Sequence, residues 1–119
     1  PYLAHKGLDA AADWLVDNGY TEGYATFWNG NAMTELTNGK LDVWTLQSLD
    51  EDYVPNWLQR KDHLTTDPQH PFLLIDTETD GPAESAGLVQ NGECTEVYND
   101  GRFVIYDFAG ADAVHAAAK

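Results

Sequence analysis

Residues Gly23 to Leu46 read GYATFWNGNAMTELTNGKLDVWTL, and this stretch decides the fold. Tyr24 to Trp28 is rich in aromatic and β-branched residues, which favour a pleated strand. Asn31 then stands where a helix N-cap is needed, its side chain able to accept from a free amide of the first turn, and Ala32 to Leu36 reads as a short helix stopped by Asn38-Gly39. From Leu41 to Leu46 the pattern alternates: Leu41, Val43 and Thr45 fall on one face, and Asp42, Trp44 and Leu46 on the other. The unit reads as strand, helix, strand, with the aromatic and amide cluster Phe27-Trp28-Asn29-Gly30-Asn31 at its first junction.

Working outward, Leu8, Ala11, Ala12, Leu15 and Val16 recur at helical spacing before the stop signal Asn18-Gly19. Asp9, Asp13 and Asp17 line the opposite face at i, i+4 spacing; they repel one another, so burial of the apolar face must carry this helix, and the acidic stripe is expected to be solvated. Beyond the central unit, Val54 to Lys61 reads as a short helix with Pro55 in its first turn and Trp57 and Leu58 as anchors. Phe72-Leu73-Leu74-Ile75, an apolar run between Pro71 and Asp76, predicts a central strand covered on both faces. A helix is expected from Asp80-Gly81-Pro82 to Asn91-Gly92. Asn99-Asp100-Gly101, between Thr95 to Tyr98 and Arg102 to Phe108, marks a hairpin, and Ala109 to Lys119 is an alanine-rich tail. The expectation is a single α/β domain over residues 1–119, with a mostly parallel sheet, a C-terminal antiparallel hairpin and flanking helices.

At 119 residues the chain is long enough for a core without staples, and its one cysteine, Cys94, excludes an internal disulfide framework and a multi-cysteine zinc site. A net charge of −14 repels phosphate backbones and anionic lipid headgroups, so nucleic acid is not an expected partner. No apolar run approaches the ~18 residues of a membrane span, and the chain is expected to be soluble. It begins at Pro1 and its only methionine is Met33, which suggests a piece of a longer protein.

In a parallel sheet, ligands bind beyond the carboxyl ends of the strands. Trp28-Asn29-Gly30-Asn31 and Asp76-Thr77-Glu78 both fall there. A flat ring beside amide donors and acceptors suits a sugar, although Trp28 could equally be core and the asparagines mere caps. Asp76 to Gly81 resembles the opening of a calcium loop, but the twelfth position is Gly87 where a bidentate glutamate is required, so a solvated acidic loop is expected and no metal site. His63 and His70 fit no zinc spacing and read as surface residues. Carboxylate pairs for glycoside hydrolysis could be drawn from Glu22, Glu35, Asp76 or Glu78, but nothing in their spacing singles out a pair. No nucleophile elbow, phosphate loop or dinucleotide fingerprint occurs, and neither catalytic residue nor cofactor is assigned.

Three segments together carry a resemblance: Gly23 to Asn31 with Thr34 to Lys40, Trp57-Leu58-Gln59-Arg60-Lys61-Asp62-His63, and Phe72-Leu73-Leu74. They resemble the C-terminal soluble region of large bacterial multi-pass membrane proteins that are glycosyltransferase-like and mostly uncharacterised. The resemblance implies a domain on the extracytoplasmic face of the membrane, following the transmembrane part of a parent similar to enzymes that use lipid-linked sugars. It implies an accessory, non-catalytic role, with the transmembrane part as one partner and a glycan or protein acceptor as another. Tyr24, Trp28, Asn29, Asn31, Trp57, Lys61 and His63 are the positions it carries over as a candidate recognition surface. Three readings follow: an acceptor-binding module, which needs Trp28 and the amides exposed in a groove; a structural module, which needs a broad exposed apolar patch; and an independent carbohydrate-active hydrolase, which needs two carboxylates on one pocket. Both accessory readings come ahead of the hydrolase.

Overall fold

In a computed structural model, residues 7–46 and 70–110 are described, with Phe27 and Trp28 described by backbone alone. The expected helix at Val54 to Lys61 and the tail beyond Gly110 lie outside these residues. The order is α1 (Leu8–Asp17), β1 (Glu22–Thr26), α2 (Phe27–Leu36), β2 (Asp42–Leu46), β3 (Phe72–Asp76), a 3-10 turn (Ala83–Ser85), α3 (Gly87–Asn91), β4 (Cys94–Asn99) and β5 (Phe103–Phe108).

The strands form one five-stranded sheet in the order β2-β1-β3-β5-β4. β1 runs parallel to β2 and to β3, whereas β5 runs antiparallel to β3 and to β4. The sheet is therefore mixed and not mostly parallel. The hairpin signal at Asn99-Asp100-Gly101 was legible, but its consequence for the sheet was not: the second arm, β5, inserts beside the central strand instead of decorating an edge. β5 is buried almost throughout, and β4 takes the outer edge. At the hairpin turn the Asp100 carboxylate accepts the Arg102 and Phe103 amides at 3.0 and 2.7 Å, the Asn99 side chain accepts the Gly101 amide at 2.9 Å, and Gly101 takes φ of 99°. That is the local bonding for which Asn, Asp and Gly are favoured in turns.

Alternation along the strands divides the core into two layers. Ala25, Val43, Phe72, Leu74, Phe103 and Ile105 face α1 and α2, meeting Leu8, Ala11, Ala12 and Leu15 of the first helix and Met33 of the second. Tyr24, Trp44, Leu46, Leu73, Ile75, Val104, Tyr106 and Phe108 face the other way, toward Ala83, Ala86 and Leu88. β3 is central and fully buried, as its apolar run predicts, and α1 buries the predicted face while Asp9, Asp13 and Asp17 stay exposed.

Two boundaries differ from the sequence reading. α2 begins at Phe27, directly after β1, so the aromatic and amide cluster is the first turns of a helix and Thr26, not Asn31, is the N-cap. The strand preference of Phe27 and Trp28 is overridden by packing, and Gly30 shows how. A Cβ there would lie 3.0 Å from the Thr45 methyl and 3.1 Å from a Val43 methyl. The close approach that glycine permits is to the chain's own second strand. The helix expected from Asp80 to Asn91 breaks at Ala86, which is extended (φ −65°, ψ 132°), so that a 3-10 turn and a short helix each put an alanine or leucine onto the sheet.

Candidate functional site

At the carboxyl ends of β1 and β3, where strand order turns over between the α2 crossover and the rest of the chain, a polar cluster closes the sheet. Asp76, the last residue of β3, has a side chain 1% exposed and is gripped by Arg102, whose Nε and Nη2 donate to its two oxygens at 2.9 Å each. The Glu78 amide donates to Asp76 Oδ1 at 3.0 Å. Asp80 accepts the Asp76 amide on Oδ2 at 2.9 Å and the Thr26 hydroxyl on Oδ1 at 3.0 Å. The residues that resembled a calcium loop are thus a bonded turn with a buried ion pair, not a solvated acidic loop.

Burial alone would raise both acids. At Asp76 the Arg102 hydrogen bonds, the Glu78 amide and the Arg102 charge outweigh it, and the carboxyl sits below the usual aspartate range. At Asp80 burial wins, helped by repulsion from Asp76, and the carboxyl sits above that range. Both acids point their oxygens into the turn, so the cluster reads as a clamp joining the ends of β1, β3 and β5.

The residues singled out in the sequence do not gather here as a surface. Tyr24 is fully buried between its register partners Trp44 and Leu73. Asn29 is buried at 4% exposure, while Asn31, half a turn on, is exposed. Trp28 lies in the first turn of α2; Trp57, Lys61 and His63 lie outside the described residues.

The opposite, amino end of the sheet carries a second cluster that sequence reading missed. Tyr20 precedes β1, His70 precedes β3, and Asp107 closes β5, so all three meet at one rim. The Tyr20 hydroxyl donates to Asp107 Oδ2, and His70 Nε2 lies 3.2 Å from the same carboxylate. The Tyr20 ring stacks on Trp14 at 6.0 Å, lies 6.0 Å from the His70 ring and stands edge-on to Phe72 at 6.1 Å; Trp14 continues to Tyr98 at 5.5 Å. Beside this aromatic layer opens a cleft of about 250 Å³ lined by Asn18, Gly19, Tyr20, Thr21, Glu22 and His70. A signal existed in principle, since residues just before two parallel neighbouring strands lie side by side. Using it requires knowing that β1 and β3 are neighbours.

Burial and the adjacent Asp107 carboxylate push the Tyr20 phenol up to about 12. Because the folded value exceeds the unfolded one near 10, the stabilisation it reports is complete below about pH 10 and is lost as the pH rises through the folded value. In an alkaline titration followed by ring-carbon NMR, Tyr20 is expected to ionise near pH 12, and Asp107→Asn should bring it back toward the ordinary tyrosine value. An unchanged midpoint in that variant would show that the carboxylate does not hold the phenol.

Among the described residues no group of three or more histidine, cysteine, aspartate or glutamate side chains is arranged to hold a metal, and no helix is long and apolar enough to cross a membrane. The fold and rim together define a small α/β domain with a mixed sheet and an aromatic-walled cleft. Comparison with family models, curated proteins and solved structures finds no match.

Proposed function

We propose that this chain is a non-catalytic accessory domain of a membrane glycosyltransferase-like protein, held on the extracytoplasmic side beside the transmembrane part, and that it recognises a glycan or protein acceptor. The observation that carries this reading is the amino-end cleft, where stacked Trp14 and Tyr20 rings stand beside His70, Glu22, Thr21 and Asn18. Rings that cover C–H faces, next to groups that bond hydroxyls, suit a saccharide. At about 250 Å³ the cleft is smaller than the ~300–1,000 Å³ of drug-sized pockets and suits one unit of a polymer. The resemblance of the sequence to the soluble ends of such membrane proteins supports the setting, and the two observations are independent.

A module that only packs on a partner would present a broad apolar patch. Among the described residues Leu36 is the one large hydrophobic side chain exposed, at 53%, which favours recognition over packing. The paired-carboxylate hydrolase is weaker still, because Asp76 and Asp80 spend their oxygens on Arg102, Thr26 and backbone amides.

The test is a heteronuclear NMR titration of the chain with cell-wall and lipid-headgroup sugars. Saturable shifts of the Trp14 indole together with the Tyr20 and His70 rings are expected. Shifts confined to the Trp28 indole and the Asn29 and Asn31 amides would move the site to the carboxyl end of β1. A well-dispersed spectrum unmoved at millimolar sugar would leave the domain as a structural module docked on its parent.

A further inference from the structure

Resting on the recognition reading above, the geometry points to the chemistry of the unit the cleft accepts: we infer that it carries an ammonium group, as an amino sugar or an aminoacyl substituent does. Three observations converge on it.

The first is how the site's own donors are used. The Tyr20 hydroxyl gives its proton to Asp107, and His70 Nε2, in the tautomer that donates, faces the same carboxylate at 3.2 Å. What remains toward the cleft is acceptor-rich: the phenol oxygen's lone pair, the Thr21 hydroxyl and the Glu22 carboxylate. A ligand must bring donors, and an ammonium brings three.

The second is charge. Glu22 lines the cleft and its register neighbour on β2 is Asp42, with Asp107 behind the rings, so three carboxylates surround a rim of a chain whose net charge is −14. Such a rim repels phosphate and carboxylate ligands and concentrates cations.

The third is the ring wall. The Trp14, Tyr20 and His70 rings succeed one another at 6.0 Å spacing, and the negative faces of Trp and Tyr attract a cation within ~6 Å while covering an adjoining pyranose. The acidic groups alone would attract any cation; the rings and the small volume select one attached to a compact apolar body.

The experiment compares glucosamine, N-acetylglucosamine, glucose and methylamine, each as a monomer at constant ionic strength, by NMR titration of the full chain. Glucosamine is expected to bind about tenfold more tightly than N-acetylglucosamine, methylamine to shift the same Tyr20 and Glu22 resonances weakly, and Glu22→Gln to cost glucosamine about fivefold with the spectrum otherwise unchanged. Equal binding of glucosamine and N-acetylglucosamine overturns the ammonium inference and leaves glycan recognition standing. Shifts spread along Asp9, Asp13 and Asp17 that vanish with salt also overturn it, as diffuse attraction to the acidic helix face. Silence from all four compounds at the cleft overturns both the inference and the reading beneath it.

Discussion

Arg102→Ala is expected to destabilise the fold by about 3 kcal/mol, the lower end of the range for a buried ion pair broken from one side. The effect arises because Asp76 stays behind, its side chain 1% exposed, with a charge that two guanidinium bonds at 2.9 Å had compensated. Arg102 itself is 19% exposed, which is why the lower end applies. Urea unfolding monitored by tryptophan fluorescence measures the difference. A loss under about 1 kcal/mol would mean that the pair behaves as a surface salt bridge. Arg102→Lys should recover little, since an ammonium cannot fork onto both carboxylate oxygens. Pairing Arg102→Leu with Asp76→Asn should recover much of the loss, because removing both charges removes the desolvation debt.

The same pair sets an acid limit. Asp76 is held below its unfolded value near 3.9, so its stabilisation is complete above that pH and is lost as the pH falls through the lower, folded value. Asp80, held above its unfolded value, has the opposite slope: its contribution is present below about 3.9 and is lost as the pH rises through the folded value. Thermal melting from neutral to strongly acidic pH should fall steeply in the parent chain and more gently in Asp76→Asn.

The second large effect is at Gly23. The ring of Phe72, its register partner on β3, lies over this glycine so closely that a Cβ would fall 2.4 to 2.5 Å from three ring carbons. Phe72 is fully buried between α1 and the sheet and has little room to turn away. Gly23→Ala is therefore expected to cost about 2–3 kcal/mol, an overpacking penalty. Combining it with Phe72→Leu should cost less than the sum of the two single changes, because the smaller side chain removes the clash; additivity within ~0.5 kcal/mol would show that the ring is not what the new methyl meets.

How far the sequence could be read follows from the range of the forces involved. The α1 face, the alternation of β2, the apolar run of β3 and the turn at Asn99-Asp100-Gly101 were legible, since each is written in neighbouring residues. The start of α2 was not: Phe27 and Trp28 prefer strands in isolation, and it is the fit of Gly30 against Val43 and Thr45 that lets the helix begin at once. Nor was the placement of β5 beside β3, a choice between partners separated along the chain. The candidate site inherits that limit. Tyr24 resembled a recognition residue in its local setting, but strand alternation puts it in the core. Tyr20, His70 and Asp107 become neighbours only when three distant strand ends are brought to one rim.

The register between β1 and β3 has a kinetic consequence. Residues 7–46 and 70–110 each supply a contiguous piece of sheet, joined internally by ladders of five registered pairs between β1 and β2 and between β3 and β5, whereas the ladder from β1 to β3 runs for two. Contacts close in sequence form before those that must close a long loop. The two pieces are thus natural early units, and their docking, with the Phe72 ring settling over Gly23 and Thr26 reaching Asp80, is the natural late step. Strain at that seam should slow the joining of two half-formed sheets more than the making of either.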